Sequence, residues 1–339
     1  MSSKTSEDMR RGKSGSEYGG THRSPLTYNS YLKVHDLKNL QVCRSEHHDE
    51  PLFIIIHQTY ELWFKLIIHE LDEVASLMKQ NKPRRANFYM KRVVQIMKTL
   101  VNQIHILETM TTKDFLGFRN LLNPASGFQS SQFREIEFMA GLRDLRMLDH
   151  FQEDEPAYKV LVRRFEEPSL GELFYQMLEA NGFKLPRDEH TKSGGESKTS
   201  RPVHGDTASS AKAAAQPDTK SGATSDTSSG GCPFGGSTSK VDTTDSAGDE
   251  DPNTIARIRE LKKLYDETDK YAEFHDLAES LMDLDELILL WRNHHVVVVE
   301  RIIGFKRGTG GSQGVGYLRS TLSKKCFPDF WKLRTYLEE

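Results

Sequence analysis

The stretch "DEPLFIIIHQTYELWFKLIIHELDEVASLMK", from Asp49 to Lys79, decides the fold. Large apolar side chains recur in it every three or four positions, the spacing that places residues on one face of an α-helix. They are Phe53, Ile56, Tyr60, Trp63, Ile67, Leu71 and Val74. A half-buried strand would instead alternate with a period of two. The stretch therefore predicts one long helix with a buried face.

Helical spacing also occurs elsewhere in the chain. A second run contains Phe88, Val93, Ile96, Leu100, Ile104 and Leu107. Shorter helices are predicted over Gln129–Leu148, Pro156–Phe165 and Leu170–Ala180. Another is predicted over Ile255–Tyr271, and one or two more over Phe274–Ile303. No alternating pattern with hairpin turns occurs, and Val296–Val299 is too short to indicate a strand. The predicted fold class is an all-α helical bundle.

Two polar segments explain why only 36% of the 339 residues are hydrophobic, against roughly 45–50% in ordinary globular domains. Residues 188–253 are mostly Ser, Thr, Gly, Asp and Lys, and residues 1–24 are similar. Such segments bury too little apolar surface to offset the entropy lost on ordering. We therefore expect a disordered tail and a disordered insertion, with one helical domain in two parts, 25–187 and 254–339.

Composition excludes several classes of protein. A net charge of −3 gives no general basis for nucleic-acid binding, which usually needs a clustered basic face. No apolar run approaches the roughly 20 residues that span a bilayer, and the N-terminus lacks the apolar stretch of a secretory signal. The three cysteines, Cys43, Cys232 and Cys326, are too few for a disulfide framework. These features predict a soluble, cytoplasmic protein.

His57 lies within the apolar stretch "LFIIIHQTYELWF", four residues after Phe53. The two side chains therefore share a helix face. A neutral imidazole offers one donor and one acceptor, which suits it to hold a polar atom of an apolar ligand. The alternative is a core histidine satisfied by a neighbouring carbonyl, and spacing alone favours that alternative.

A pair of adjacent histidines occurs in "WRNHHVVVVERIIG". On a helix His294 and His295 point about 100° apart, so one metal ion could not easily take both. His295 shares its face with Ile288, Trp291, Val298, Val299 and Ile302, whereas His294 shares a face with Leu290, Val297 and the charged Arg301. His295 thus suits an axial ligand beneath a flat macrocycle. A buried structural histidine is the alternative, and periodicity alone favours it.

Two further segments contain residues suited to bind a charged ligand. The segment "GFKRGTGGSQGVGYL", Gly304 to Leu318, contains six glycines. They indicate either a lid in which Thr309 contacts a ligand or a plain turn. The segment lacks the Gly-Lys-Ser/Thr ending of a Walker phosphate-binding motif. In "DFLGFRNLLNPASGFQSSQFRE", Arg119 could clamp a carboxylate or form a structural ion pair. Ser126 follows in a turn, and Arg134 is predicted to be structural.

The sequence "HHDE" at 47–50 could indicate a metal site. Aspartate is also a preferred residue at the N-cap of a helix. We expect Asp49 to cap the helix that follows it.

Four stretches together resemble the tryptophan 2,3-dioxygenase family: "HDEPLFIIIHQTYELWFKLIIHELD", "FRNLLNPASGFQSSQFRE", "WRNHHVVVVERIIG" and "GTGGSQGVGYLRSTL". The resemblance covers nearly all the chain outside the tail and the insertion. It implies a haem-binding helical bundle of the tryptophan/indoleamine dioxygenase type, with haem b as cofactor and L-tryptophan and O2 as substrates. The implied product is N-formyl-L-kynurenine, in the first step of the kynurenine pathway, and the implied assembly is a homotetramer.

The resemblance also implies roles for individual residues. His295 matches the axial ligand of the haem iron, and His57 the distal histidine that hydrogen-bonds the indole nitrogen. Phe53 matches the aromatic side chain that packs on the indole. Arg119 matches the residue that binds the substrate carboxylate, and Thr309 the loop residue at the charged end of the amino acid.

Three more residues correspond to family positions at the edge of the site. Ser126 matches a serine that lines the pocket near the haem. Tyr28 and Tyr31, in "LTYNSYL", match an N-terminal segment that reaches the pocket of a neighbouring subunit. Assembly would then be part of the site.

The chain departs from the family pattern at three places. Phe115 stands where many bacterial members have a tyrosine, "GTGGSQG" replaces a commoner Gly-Ser-Ser-Gly ending, and the insertion replaces an ordinary connection. The altered loop leaves room for a paralogue that inserts one oxygen atom into a substituted indole or another aromatic amino acid. Two further hypotheses are a haem or tryptophan sensor without turnover and a purely structural helical bundle.

Overall fold

The computed structural model describes residues 26–186, 251–306, 308 and 314–337. Every regular element in these residues is helical, which confirms the predicted all-α class. The α-helices are α1 Tyr28–Leu32, α2 Val34–Leu37, α3 Glu50–Lys79, α4 Pro83–Leu107, α5 Thr112–Phe118, α6 Ser131–Ala140, α7 Glu155–Glu166, α8 Leu170–Ala180, α9 Pro252–Asp266, α10 Thr268–Ile303, α11 Val315–Ser320 and α12 Pro328–Leu333. Short 3-10 helices cover Arg119–Leu122, Gly127–Gln129, Leu145–Phe151 and Arg334–Tyr336. Within these described ranges no helix is both long and apolar enough to cross a membrane.

Helix bounds agree with the predictions to within one residue for α3, α7 and α8 but differ elsewhere. The helix predicted over Gln129–Leu148 is divided, because Gly141 adopts φ +106° and ends α6 in the left-handed region that glycine favours. Tyr271, the last residue of one predicted helix, lies instead within α10, at a kink with φ −111° and ψ 23°.

The predicted tail, 1–24, and most of the predicted insertion, 188–253, lie outside the described residues. The last residues of that insertion are described and belong to the fold. Pro252 begins α9. The carboxylate of Asp251 accepts a hydrogen bond from the backbone N–H of Thr254 at 3.2 Å and so caps the helix.

The core forms where α4 packs between α3 and α10. The predicted face of α3 is largely buried, with Ile67, Leu71 and Val74 fully inaccessible. On α4 the prediction was wrong for Phe88, which is 52% exposed. The guanidinium of Arg85 lies 4.6 Å from the centre of the Phe88 ring. The buried row of α4 is instead Ala86, Met90, Val93, Met97, Leu100 and Ile104.

The start of α3 is held by Glu50 rather than by the expected cap. Asp49 occupies the N-cap position, but its side chain makes no capping hydrogen bond. Glu50 is buried and accepts hydrogen bonds from the backbone N–H groups of Arg44 at 2.6 Å and Ser45 at 2.8 Å, and from the Ser45 hydroxyl. Burial disfavours its charged form, but these hydrogen bonds outweigh burial and keep the pKa of Glu50 below its usual value.

Asp285 joins α10 to the end of the chain. Its carboxylate is fully buried and accepts hydrogen bonds from the backbone N–H groups of Cys326 at 2.9 Å and Phe327 at 3.0 Å. The indole Nε1 of Trp331 donates to it at 2.8 Å. Asp285 therefore fixes the segment between α11 and α12 against α10.

We expect Asp285→Ala to lower the free energy of unfolding by about 3 kcal/mol or more, because two buried donors and one partly buried donor lose their acceptor. Asp283→Ala, at an exposed position of the same helix, should change it by no more than about 0.5 kcal/mol. Urea denaturation measures both values. Equal effects of the two substitutions would contradict the role given to Asp285.

Candidate active site

A cavity of about 1100 Å³, measured to its open mouth, lies between α3, α6, α10 and α11. Small-molecule sites usually measure about 300–1,000 Å³, so this cavity, with its mouth included, is slightly larger than most. Five residues predicted from the sequence line it: His57, Phe115, Arg119, Ser126 and His295. The wall also contains the aromatic side chains Phe128, Phe133, Trp291 and Tyr317.

His57 is held in one tautomer by its own helix. Its Nδ1 lies 2.7 Å from the carbonyl oxygen of Phe53. Because a carbonyl only accepts, Nδ1 carries the proton and Nε2 is left as an acceptor. Burial lowers the pKa of His57, which keeps the ring neutral near pH 7. One nitrogen is therefore satisfied by a neighbouring carbonyl, as in a core histidine, but the ring also lines a cavity.

His295 lies on the part of the cavity wall that α10 forms. Burial, with a smaller contribution from nearby His57, lowers the pKa of His295 to about 4. The ring stacks on Trp291, with centroids 5.1 Å apart and planes 25° apart. His294 is not part of the cavity wall; its ring lies 5.1 Å from that of His105. The structure thus places His295, rather than its neighbour, on the cavity.

The residues around His295 fit an axially ligated haem. Metal ligation needs a neutral imidazole, and the low pKa provides one. Among the described residues no hydrogen bond engages the His295 ring, so no protein group competes for its nitrogens. Trp291 and Phe133, whose rings are 4.8 Å apart, add flat apolar surface to the same wall.

Aromatic side chains form a cluster beside His57. The Phe53 ring lies 4.1 Å from the His57 ring and 5.6 Å from that of Phe115. Arg119 follows α5 directly, one turn after Phe115, and reaches the same cavity. Ser126 lines the cavity and caps a 3-10 helix, since its hydroxyl oxygen accepts from the N–H of Phe128 at 3.3 Å.

Four predicted site residues are not among the residues that line the cavity. Phe53 packs beside His57 but is not part of the wall. Thr309 lies outside the described residues, although Gly308 and Gly314 on either side of it line the cavity. Tyr28 and Tyr31 lie on α1 and are 75% and 69% exposed. Neither of these tyrosines contributes to the cavity of its own chain.

Sequence reasoning missed a group of charged residues on the wall. Arg134, predicted to be structural, does bond to Glu137, but both residues line the cavity together with Arg292. The available signals were spacings: Arg134 and Glu137 are three residues apart, as are Arg292 and His295. Residues at that separation share a helix face.

The fold and the cavity define a class: an all-helical protein with two neutral imidazoles on the wall of one partly aromatic site. The model of the tryptophan 2,3-dioxygenase family matches residues 15–217 and 259–337. The chain belongs to this family. Residues 218–258, between the two matched parts, fall largely within the predicted insertion.

Several bacterial tryptophan 2,3-dioxygenases are similar over most of their length. The protein from Herpetosiphon aurantiacus is 38% identical over 314 residues, which cover 92% of this chain and 98% of the relative. That from Anaeromyxobacter dehalogenans is 36% identical, with 92% and 97% covered. That from a Nocardioides species is 36% identical, with 94% and 97% covered.

Gly117 allows α5 to approach His47 closely. A Cβ atom at Gly117 would lie 2.3 Å from Nε2 of His47. The His47 ring also packs 5.7 Å from the ring of Phe118, so it has little freedom to move away. The position of α5, and with it that of Phe115 and Arg119, depends on this contact.

We expect Gly117→Ala to lower the free energy of unfolding by about 1–3 kcal/mol through overpacking. Gly316→Ala should cause no comparable loss, because nothing lies within 4 Å of the added methyl group. In a His47→Ala background the loss from Gly117→Ala should largely disappear. A loss that persists in that background, measured by urea denaturation, would show that another contact is responsible.

Proposed function

We propose that this chain cleaves the indole C2–C3 bond of L-tryptophan with O2 and gives N-formyl-L-kynurenine, the first step of the kynurenine pathway. One observation carries the proposal: neutral His57 and neutral His295 line the same cavity, together with Arg119. Membership in the tryptophan 2,3-dioxygenase family supports it.

The cofactor in this proposal is haem b, whose iron His295 would hold. When bound, the haem supplies the redox chemistry that activates O2. The protein supplies binding, orientation and exclusion of water. The aromatic wall formed by Trp291, Phe133 and Phe128 supports this assignment, because a macrocycle needs flat apolar surface.

His57 positions the substrate in this proposal. Its Nδ1 is already committed to the carbonyl of Phe53, so Nε2 accepts the indole N–H. An indole N–H is a very weak acid, which makes His57 a positioning group rather than an obligatory base. Phe53 and Phe115 pack on the indole.

The charged end of the amino acid is bound separately. Arg119 pairs with the carboxylate, which a guanidinium can hold through two parallel hydrogen bonds. Ser126 lines the cavity near the proposed haem site, and Thr309 meets the ammonium and carboxylate groups. Holding both ends of the substrate fixes the indole relative to the oxygen, an effect that can supply much of the rate.

We also propose a homotetramer in which Tyr28 and Tyr31 reach a neighbouring site. Their exposure supports this, since Leu26, close to both, is also 77% exposed. Apolar side chains left in water on so short a segment are typical of a surface that a partner covers. A cytoplasmic location remains the prediction from the sequence.

Reduced, haem-loaded protein should convert L-tryptophan to N-formylkynurenine in air, followed by the absorbance of the product. With ¹⁸O₂, mass spectrometry should find two labelled atoms in each product molecule. One labelled atom would instead indicate a mono-oxygenase. Stable haem without any product would contradict the proposed reaction.

We expect His57→Ala to lower kcat/KM for L-tryptophan by about 10- to 100-fold, the effect of losing one buried hydrogen bond to the substrate. Haem content should not change, because His57 is not the ligand. The haem-to-protein ratio, read from the Soret band, measures this. A loss of haem equal to the loss of activity would contradict the positioning role.

Substitution of the two adjacent histidines tests the ligand. His295→Ala should lose haem or bind it with an altered Soret spectrum, whereas His294→Ala, one residue away and off the cavity wall, should keep both. If His295→Ala retained full haem and full turnover, the ligand assignment would be wrong.

A further inference from the structure

Three charged side chains form a buried cluster on the cavity wall, here called the Arg–Glu–Arg triad: Arg134, Glu137 and Arg292. They are 9%, 5% and 5% exposed. Glu137 accepts a hydrogen bond from Arg134 on Oε2 and from Arg292 on Oε1. One carboxylate therefore faces two guanidinium groups, and a positive charge is left over.

Nothing described in the structure neutralises this charge. Arg134 Nε is buried and has no hydrogen-bond partner among the described residues. The second terminal nitrogen of Arg292 reaches only the backbone carbonyls of Thr321 and Lys324, each at 3.4 Å. Burial strongly disfavours a charge that has no counter-ion. The triad is therefore suited to accept an anion.

The surroundings of the triad are also basic. A second cavity, of about 1010 Å³, shares the triad as part of its wall. Arg143, Arg146 and Lys324 line it as well. Asp144, the one further carboxylate among the described residues of that wall, is bonded to Arg146 at 2.8 Å. Arg143 pairs with Glu172 at 3.3 Å, and Lys324 lies 3.9 Å from Asp144. The carboxylates near this wall are thus engaged by these basic groups and do not neutralise the triad.

We propose that the Arg–Glu–Arg triad binds a propionate carboxylate of the haem, an inference that rests on the proposed function. Arg292 precedes His295 by three residues on α10, so their Cβ atoms lie about 5–6 Å apart on the same side of the helix. A haem ligated by His295 carries its two propionates at the edge of the ring, within reach of this neighbour. Guanidinium groups pair strongly with carboxylates in such buried settings.

The carboxylate of the substrate is a different anion at a different place. Arg119 follows α5, one turn after Phe115. Phe115 packs on Phe53, which lies beside His57. The triad lies on α6 and α10, on the side of His295. Arg119 therefore lies on the side of His57 and the triad on the side of His295. In this proposal Arg119 binds the carboxylate of the substrate, and the triad binds the propionate of the haem.

Glu137 has a positioning role in this arrangement. It holds both guanidinium groups through separate oxygens. Without it the two cations would repel each other, and neither would keep its direction. The carboxylate thus fixes the donors without cancelling their charge.

The test compares haem b with its dimethyl ester, which has the same macrocycle but no propionate charge. Full-length protein loaded with either is mixed with excess apomyoglobin, and haem transfer is followed by the Soret band. We expect wild-type protein to release haem at least tenfold more slowly than it releases the ester. Arg292→Met should release haem almost as fast as the ester, while its rate for the ester stays that of wild type. Arg301→Met, at an exposed position of α10, should behave as wild type.

Arg134→Met provides a second variant in case Arg292→Met folds poorly, and it should also reduce the preference for haem over the ester. Equal release of both macrocycles by wild-type protein would overturn the propionate site but leave the proposed reaction intact. Failure to hold either macrocycle would overturn both. A third outcome would also overturn the propionate site. If Arg292→Met or Arg134→Met kept the preference for haem over the ester but lost the preference for tryptophan over tryptamine, the triad would bind the carboxylate of the substrate.

Discussion

The register of α4 between α3 and α10 is the constraint on which the cavity depends. Buried polar contacts fix it, because apolar packing alone tolerates sliding. The hydroxyl of Tyr60 donates to the carbonyl of Leu100 at 2.8 Å, and the amide of Gln103 donates to Thr59 at 2.6 Å. Both contacts lie within a turn of His57, so they set the height of that histidine in the bundle. Ser280 of α10 donates to Asn87 of α4 at 2.6 Å and fixes the other helix in the same way.

Buried arginines elsewhere in the structure show that the charge of the triad is unusual for this chain. Arg164 is equally buried, but it contacts the carboxylates of Asp72 at 2.6 Å, Glu135 at 2.8 Å and Glu167 at 3.1 Å. There acidic groups outnumber the cation, whereas at Glu137 the cations outnumber the acid. The positive charge of Arg164 is thus fully compensated by carboxylates, whereas that of the triad is not. The surplus is best explained by a ligand.

Local patterns carried much of the prediction from sequence. Apolar periodicity placed α3, α7 and α8 to within one residue. The choice of His295 over His294 followed from which face of α10 is apolar. The same reasoning failed at Phe88, because an aromatic side chain can cover an arginine at the surface as well as fill a core. Apolar periodicity could not predict contacts between distant parts of the chain. The approach of Gly117 to His47 and the bond of Arg292 to Glu137 depend on how whole helices pack, which no window of sequence contains.

Phe115 illustrates how the aromatic cluster constrains substrate recognition. Its ring is 9% exposed and packs 5.6 Å from Phe53 and 5.4 Å from Phe118. A tyrosine here would add one hydroxyl to the wall, and the loss of a single neutral hydrogen bond costs about 1 kcal/mol. A charged pairing with Arg119 is worth more than that. Under the proposed function, the phenylalanine therefore leaves recognition of the amino-acid carboxylate to Arg119, while the apolar surface proposed to face the indole stays the same.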